Sequence, residues 1–123
     1  MELAPTLDIT IYQRSARLRE ERRRLALAER LQRAHEVAVT AAHLLQEQYA
    51  ATRVILYGSV AHGYGFHAES DIDLAVEGIA PAQFWKAWAS LDPIDPTFEI
   101  NLVAVEEATP RLLKVLKTEG VPL

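Results

Sequence analysis

Asp71 and Asp73 stand two positions apart in the run Ser70-Asp71-Ile72-Asp73-Leu74-Ala75-Val76. Side chains along a strand alternate faces, so both carboxylates project from one side while Ile72, Leu74 and Val76 serve the other. Two such groups facing one point repel, or force one carboxyl to take up a proton, unless a cation lies between them. Mg²⁺ suits the pair, because it takes hard oxygen ligands from one or two carboxylates and completes its octahedron with water and substrate phosphates. Upstream, Gly58-Ser59-Val60-Ala61-His62-Gly63 offers the second half of a nucleotide site. Gly58 and Gly63 can take backbone angles closed to other residues, and a turn with exposed N–H groups running into a helix start can hold phosphate oxygens. Ser59 adds a hydroxyl.

These residues need a scaffold. Val54-Ile55-Leu56-Tyr57 has the length and β-branched character of a strand, so the stretch Val54–Val76 reads as strand, glycine-rich turn, strand. Gly78 ends the second strand and Pro81 opens a helix with Phe84, Trp85, Trp88 and Leu91 on an apolar face. That face is read as core, with stacking on an adenine as the alternative. A loop rich in Pro and Asp at 92–96 leads to a third strand over Phe98–Val105 and a last helix over Pro110–Thr118, closed by Gly120 and Pro122. Ahead of all this, residues 1–10 are expected to be an extended lead-in. From Ile11 to Gln48 no Gly or Pro intervenes and Ala, Leu, Glu, Gln and Arg dominate, which predicts a long helix. Leu27, Leu31, Ala34, Ala38, Ala41 and Leu45 form its stripe for packing on the sheet.

The ordered pair, Gly58-Ser59 followed about a dozen residues later by Asp71-Ile72-Asp73, resembles the nucleotidyltransferases of the DNA polymerase β-like superfamily. It is most similar to their minimal prokaryotic members, from about Arg53 to Glu119-Gly120. The resemblance implies an α+β fold: a small mixed sheet, the polymerase β-like palm, packed with helices and preceded by a long N-terminal helical segment. The chain is expected to be a single domain over 1–123, with an N-terminal helical extension at 1–50 and the nucleotidyltransferase core at 51–123. It further implies a Mg²⁺-dependent transfer of a nucleoside monophosphate, AMP from ATP or another NTP, to a hydroxyl. Asp71 and Asp73 would hold one or two ions, and Gly58, Ser59, His62, Gly63 and Ser70 would cradle the phosphates. Minimal nucleotidyltransferases are often antitoxins that add AMP to a tyrosine of a helical HEPN toxin, so such a protein is the implied partner.

Two departures from the family pattern bear on activity. Many relatives place a third carboxylate on the neighbouring strand before Leu-Val, where this chain reads Phe98-Glu99-Ile100-Asn101-Leu102-Val103. Asn101 stands at that place by resemblance; Glu99 shares its strand face but lies about 6.6 Å away along the strand. Glu99 is the expected working ligand. With Asn101 there instead, an amide that takes no proton and binds Mg²⁺ poorly would slow transfer, since losing a general base costs about 10²–10⁴ in rate. The chain could then act as a binding module that neutralises its partner by contact. His62 replaces the arginine that relatives often carry, which makes phosphate neutralisation weaker and pH-dependent.

Composition narrows the remaining classes. With 123 residues, half of them hydrophobic, the chain can build one modest core. It has no cysteine, which excludes a disulfide framework and a thiolate zinc site. No signal peptide or membrane span is legible, and a cytoplasmic location is expected. The net charge of −4 is split: residues 1–53 hold nine Arg against seven acids, residues 54–123 four bases against ten. An acidic catalytic half argues against gripping a long nucleic acid by its backbone and suits a metal-complexed nucleotide. Eight of the thirteen basic residues fall between Arg14 and Arg33. This reads as a solvated helix face laced with Glu20, Glu21 and Glu29, or else as a docking surface for an acidic partner or RNA. His35 and His43, eight apart, have no second ligand pair in register. No drug-binding domain is evident, which argues against an antibiotic-modifying enzyme.

Overall fold

The computed structural model describes residues 9–123. Most of the expected lead-in lies outside them, and its last two residues, Ile9 and Thr10, are already helical. Helix α1 runs unbroken over Ile9–Tyr49. It ends at Ala50, whose φ of 58° reverses the chain so that the Ala51 N–H bonds the Leu45 carbonyl at 3.1 Å. That bond satisfies one of the carbonyls left open in the last turn of α1, with alanine in the left-handed place usually given to glycine.

The sheet has four strands in the order β3-β2-β1-β4. Strand β1 (Arg53–Tyr57) pairs antiparallel with β2 (Ile72–Glu77), which pairs parallel with β3 (Ile100–Ala104). Between β1 and β2 lies the one-turn helix α2 (Ser59–His62). The β2–β3 crossover contains a 3₁₀ turn at Pro81–Gln83 and helix α3 (Phe84–Ala89). Helix α4 (Pro110–Glu119) follows β3; Thr109 caps it by accepting the Leu112 N–H at 3.1 Å. The expectation of three strands is exceeded: Val121–Pro122 forms β4, antiparallel to β1, and the Leu123 N–H reaches the Val54 carbonyl. Proline is tolerated there because β4 is an edge strand.

The two faces of the sheet differ. Val54, Leu56, Ile72, Leu74, Val76, Ile100 and Leu102 are buried on one face against Ala34, Val37, Ala38, Ala41, Ala42 and Leu45 of α1 and Ala87 of α3. The alanines let α1 approach closely, and each Leu- or Ile-sized side chain withdrawn from water contributes about 1.5–3 kcal/mol. Of the expected aromatic stripe, Leu91 is fully buried and Phe84 and Trp88 pack on this core, but Trp85 is 72% exposed and stacks on Trp88 instead. The Trp88 Nε1–H donates to the Ile100 carbonyl at 2.7 Å, tying α3 to the outer edge of β3. The other face carries only Ile55, Ala75 and Leu116 as a small core, fringed by Tyr57, Val103, Val105 and Leu112. Arg30 and Arg33 clamp α1 to the loop before β3: Arg30 donates to the Thr97 carbonyl and lies 4.0 Å over the Phe98 ring, and Arg33 meets Asp95 at 3.0 Å. Among the described residues no helix is long and apolar enough to cross a membrane.

Candidate active site

The acidic residues lie on the thinly packed face, at the end of β2 nearest the glycine turn. Asp73 is paired in register with Tyr57 of β1 on one side and Asn101 of β3 on the other. Asp71 immediately precedes the strand. The Asn101 amide donates to both carboxylates, to Asp71 Oδ2 at 3.2 Å and to Asp73 Oδ1 at 3.3 Å, so one side chain bridges the pair. Glu99 is not brought into this cluster. Its carbonyl accepts the Ile72 N–H at 2.9 Å, its side chain is exposed, and among the described residues no three His, Cys, Asp or Glu side chains gather as a metal-holding group. The structure therefore sets an amide, not the expected third carboxylate, against the two aspartates.

The glycine turn meets the acids directly. Gly58 has φ 76°, a backbone angle that favours glycine, and a Cβ built on it would press on Asp73 Oδ2 and displace that carboxylate. The turn enters α2, whose Ala61 and His62 N–H groups bond the Gly58 carbonyl, and Gly63 closes it at φ 79° with its N–H on the Ser59 carbonyl at 2.7 Å. The N–H groups that open such a turn have no partner within it and point where an anion can accept them. Ser59 is partly exposed beside them.

The other expected phosphate ligands fare differently. His62 is exposed, and its Nδ1 accepts the Tyr64 N–H at 3.0 Å, which leaves the ring proton on Nε2 as the donor to solvent or ligand. Its ring leans over Tyr64 at 5.5 Å. Ser70 is buried, 7% exposed, and its hydroxyl accepts the His67 N–H at 2.9 Å while its own N–H bonds the His67 carbonyl. Ser70 thus ties down the loop that precedes Asp71. His67, through Nδ1, accepts the Glu69 N–H and helps in the same task.

Burial sets the electrostatics. The Asp73 carboxyl is held above the usual carboxylate range, first by desolvation and further by the Asp71 charge, with the Asn101 hydrogen bond opposing both. The phenol of Tyr57 is likewise raised, by burial and then by Asp73. Tyr57 was not singled out from the sequence, although the signal was present: it alternates with Ile55 and directly precedes Gly58, so its face and its closeness to the turn were both readable. The chemistry of the donor set fits a hard divalent cation: two oxygen ligands on one strand face, one held above its usual pKa by burial, open toward backbone donors that suit phosphate.

A family model described as polymerase beta, nucleotidyltransferase matches residues 40–123. The chain belongs to this family. Among solved structures, a minimal nucleotidyltransferase is similar at 25% identity over 76% of this chain and 95% of that one, with a TM-score of 0.62. A toxin–antitoxin complex with AMP-PNP is similar at 23% identity, over 68% of this chain and 69% of that one, with a TM-score of 0.56. The MNT antitoxin complex with a tri-AMPylated HEPN toxin of Shewanella oneidensis aligns at 19% identity over 72% and 70%, with a TM-score of 0.53. The curated proteins yield no match. As a polymerase beta-type nucleotidyltransferase, the chain has its family-matched part in the sheet, α2–α4 and the last turns of α1, while residues before 40 lie outside the match.

Proposed function

We propose that the chain transfers AMP from ATP to a tyrosine hydroxyl of a HEPN-type protein and thereby acts as its antitoxin. The observation that carries this reading is the convergence of the Gly58-Ser59 turn on Asp73 Oδ2, which puts phosphate donors and acidic oxygens around one point. The solved complexes of similar fold, one with AMP-PNP and one with a tri-AMPylated HEPN toxin, support the nucleotide and the acceptor class.

Asp71 and Asp73 would hold Mg²⁺, which when bound supplies charge neutralisation to the triphosphate and its departing pyrophosphate. The Gly58-Ser59 turn orients the β and γ phosphates, and the Nε2–H of His62 is free to donate to a phosphate oxygen. The acceptor oxygen forms its bond to the α phosphorus as the α–β bridging P–O bond breaks; the hydroxyl proton leaves to solvent and pyrophosphate departs. No covalent intermediate on the protein is required. Asn101 can position the two aspartates through its amide but takes no proton, so transfer is slow compared with a site of three carboxylates.

Asn101 also favours a second reading: a contact antitoxin in which nucleotide binding persists and transfer is vestigial. The experiment is to incubate the purified chain with Mg²⁺, ATP labelled in the α phosphate and a HEPN-type protein from the same organism. Label on a tyrosine of that protein, lost with Asp73→Asn, supports transfer. A tight complex with no label at any metal concentration overturns it in favour of the contact reading.

A further inference from the structure

Residues 9–26 of α1 form an arm that leaves the core. All of them except Ser15 are exposed, and at 1.5 Å per residue the arm extends about 27 Å beyond the Leu27–Leu45 stripe. On it, Ile11, Leu18 and Leu25 are 59%, 52% and 55% exposed. With Arg14 and Arg22 they recur at spacings of three, four, four and three, which places all five on one helix face. Leu18 and Leu27 are nine residues apart, half a turn around the helix at about 100° per residue, so this face points away from the one that packs on the sheet. Stability does not explain three solvated aliphatics opposite the core; a covered face does.

Charge says what covers it. The arm holds six arginines against Glu20 and Glu21. Those two glutamates pair with Arg23 and Arg24, and among the described residues Arg14, Arg17, Arg19 and Arg22 make no ion pair. A second copy is a poor occupant, because antiparallel pairing centred on Leu18 sets Arg14 of one helix against Arg22 of the other. Nucleic acid would take the arginines and leave the three aliphatics wet. An apolar groove with acidic residues along its rim satisfies both.

We propose that the face Ile11-Arg14-Leu18-Arg22-Leu25 docks, helix in groove, on an acidic-rimmed apolar groove of the acceptor protein and so holds that protein to the transferase. This rests on the reading of a protein acceptor given above.

The test uses the full chain and a HEPN-type protein from the same organism, with affinity measured by titration calorimetry and helix content checked by circular dichroism. Reversing both arginines (Arg14→Glu with Arg22→Glu) should weaken binding by about 100-fold at low salt, and Leu18→Gln by about tenfold. Labelled-AMP transfer at saturating acceptor should keep its kcat while KM rises. Unchanged affinity in both variants overturns the proposal and leaves the transfer reading standing. A complex that depends on the arm but never becomes labelled supports the docking face and overturns transfer; no complex with the natural chain overturns both. The proposal is also overturned if the arm variants lose only binding to a 20-nucleotide RNA, or only a self-dimer seen by sedimentation.

Discussion

The two faces of the sheet are built to different specifications from alternate residues of the same strands. On the dry face, Leu56, Leu74 and Ile72 are wholly buried against the α1 alanines, and nothing polar intrudes. On the other, Tyr57, Asp73 and Asn101 lie side by side across three strands, half-covered and with their charge unresolved. One face contributes stability and the other gives some up. Asp73 ionises against desolvation and against its neighbour Asp71, the strain expected of a site that waits for a cation.

Asp73 and Leu74 are neighbours in sequence and opposite in role, so paired substitutions break the comparison most directly. Asp73→Asn should lower labelled-AMP transfer by at least about 10³-fold, because a metal site that neutralises the transferring phosphates is worth several kcal/mol in the transition state. It should also raise the thermal midpoint of the metal-free chain at neutral pH, since the desolvated charge is gone. Leu74→Ala should do the reverse, with a loss of about 3 kcal/mol in urea unfolding and, at low temperature where it is still folded, a near-normal rate per folded molecule. A metal-free Asp73→Asn chain less stable than the natural one would mean that the acidic face is structural after all.

Asn101 allows a finer cut. Asn101→Asp adds a carboxylate in register with Asp73 and removes the amide that bridges the pair. Transfer should rise by about 10- to 100-fold, within the range lost when a general base is absent, while the metal-free chain becomes less stable from like-charge repulsion. If Glu99→Gln instead abolishes transfer in the natural chain, the exposed glutamate reaches the site in the nucleotide complex, and the amide is a bystander.

How much of this was legible depended on period. The strand alternation at Asp71–Val76 put the acids on one face and the aliphatics on the other from sequence alone, while the α+β fold came with the family resemblance that the Gly58-Ser59 and Asp71-Ile72-Asp73 motifs carry. The choice between Glu99 and Asn101 was not legible. Both obey the period of two, and only the inter-strand register, which sequence periodicity does not encode, sets Asn101 beside Asp73. Strand β4 was missed because two residues carry no period at all; its pairing arises from where α4 delivers the chain after Gly120. Arg30 and Arg33 read as part of a solvated run, and their clamp on Asp95, Thr97 and Phe98 depends on contacts more than sixty residues away.

Acid titration separates the faces by sign. Asp73 is raised in the folded chain, so without metal its contribution to stability is present at low pH, below the unfolded value, and is lost as pH rises through the folded value. Asp95 is lowered, chiefly by its hydrogen bonds to Thr97 and then by Arg33; its contribution is present above the unfolded value and lost as pH falls through the folded one. Asp73→Asn should therefore make stability fall more steeply on acidification, whereas Asp95→Asn should make it fall less steeply. Metal affinity should begin to weaken as pH drops through a range above that of an ordinary aspartate, where Asp73 takes up its proton.

The smallest effect tests the scaffold without touching either face. Ala50 is exposed and holds φ 58° to turn α1 into β1, a conformation that costs a residue with a Cβ about 1–2 kcal/mol relative to one without. Ala50→Gly removes that cost but frees the unfolded chain, so the net gain should be only about 0.5–1 kcal/mol in urea unfolding. Transfer should not change, because Ala50 lies at the far end of β1 from Gly58. A gain in stability with a loss of transfer would show that the dry face and the acidic face are mechanically coupled through β1, and that the division between them is one of chemistry and not of structure.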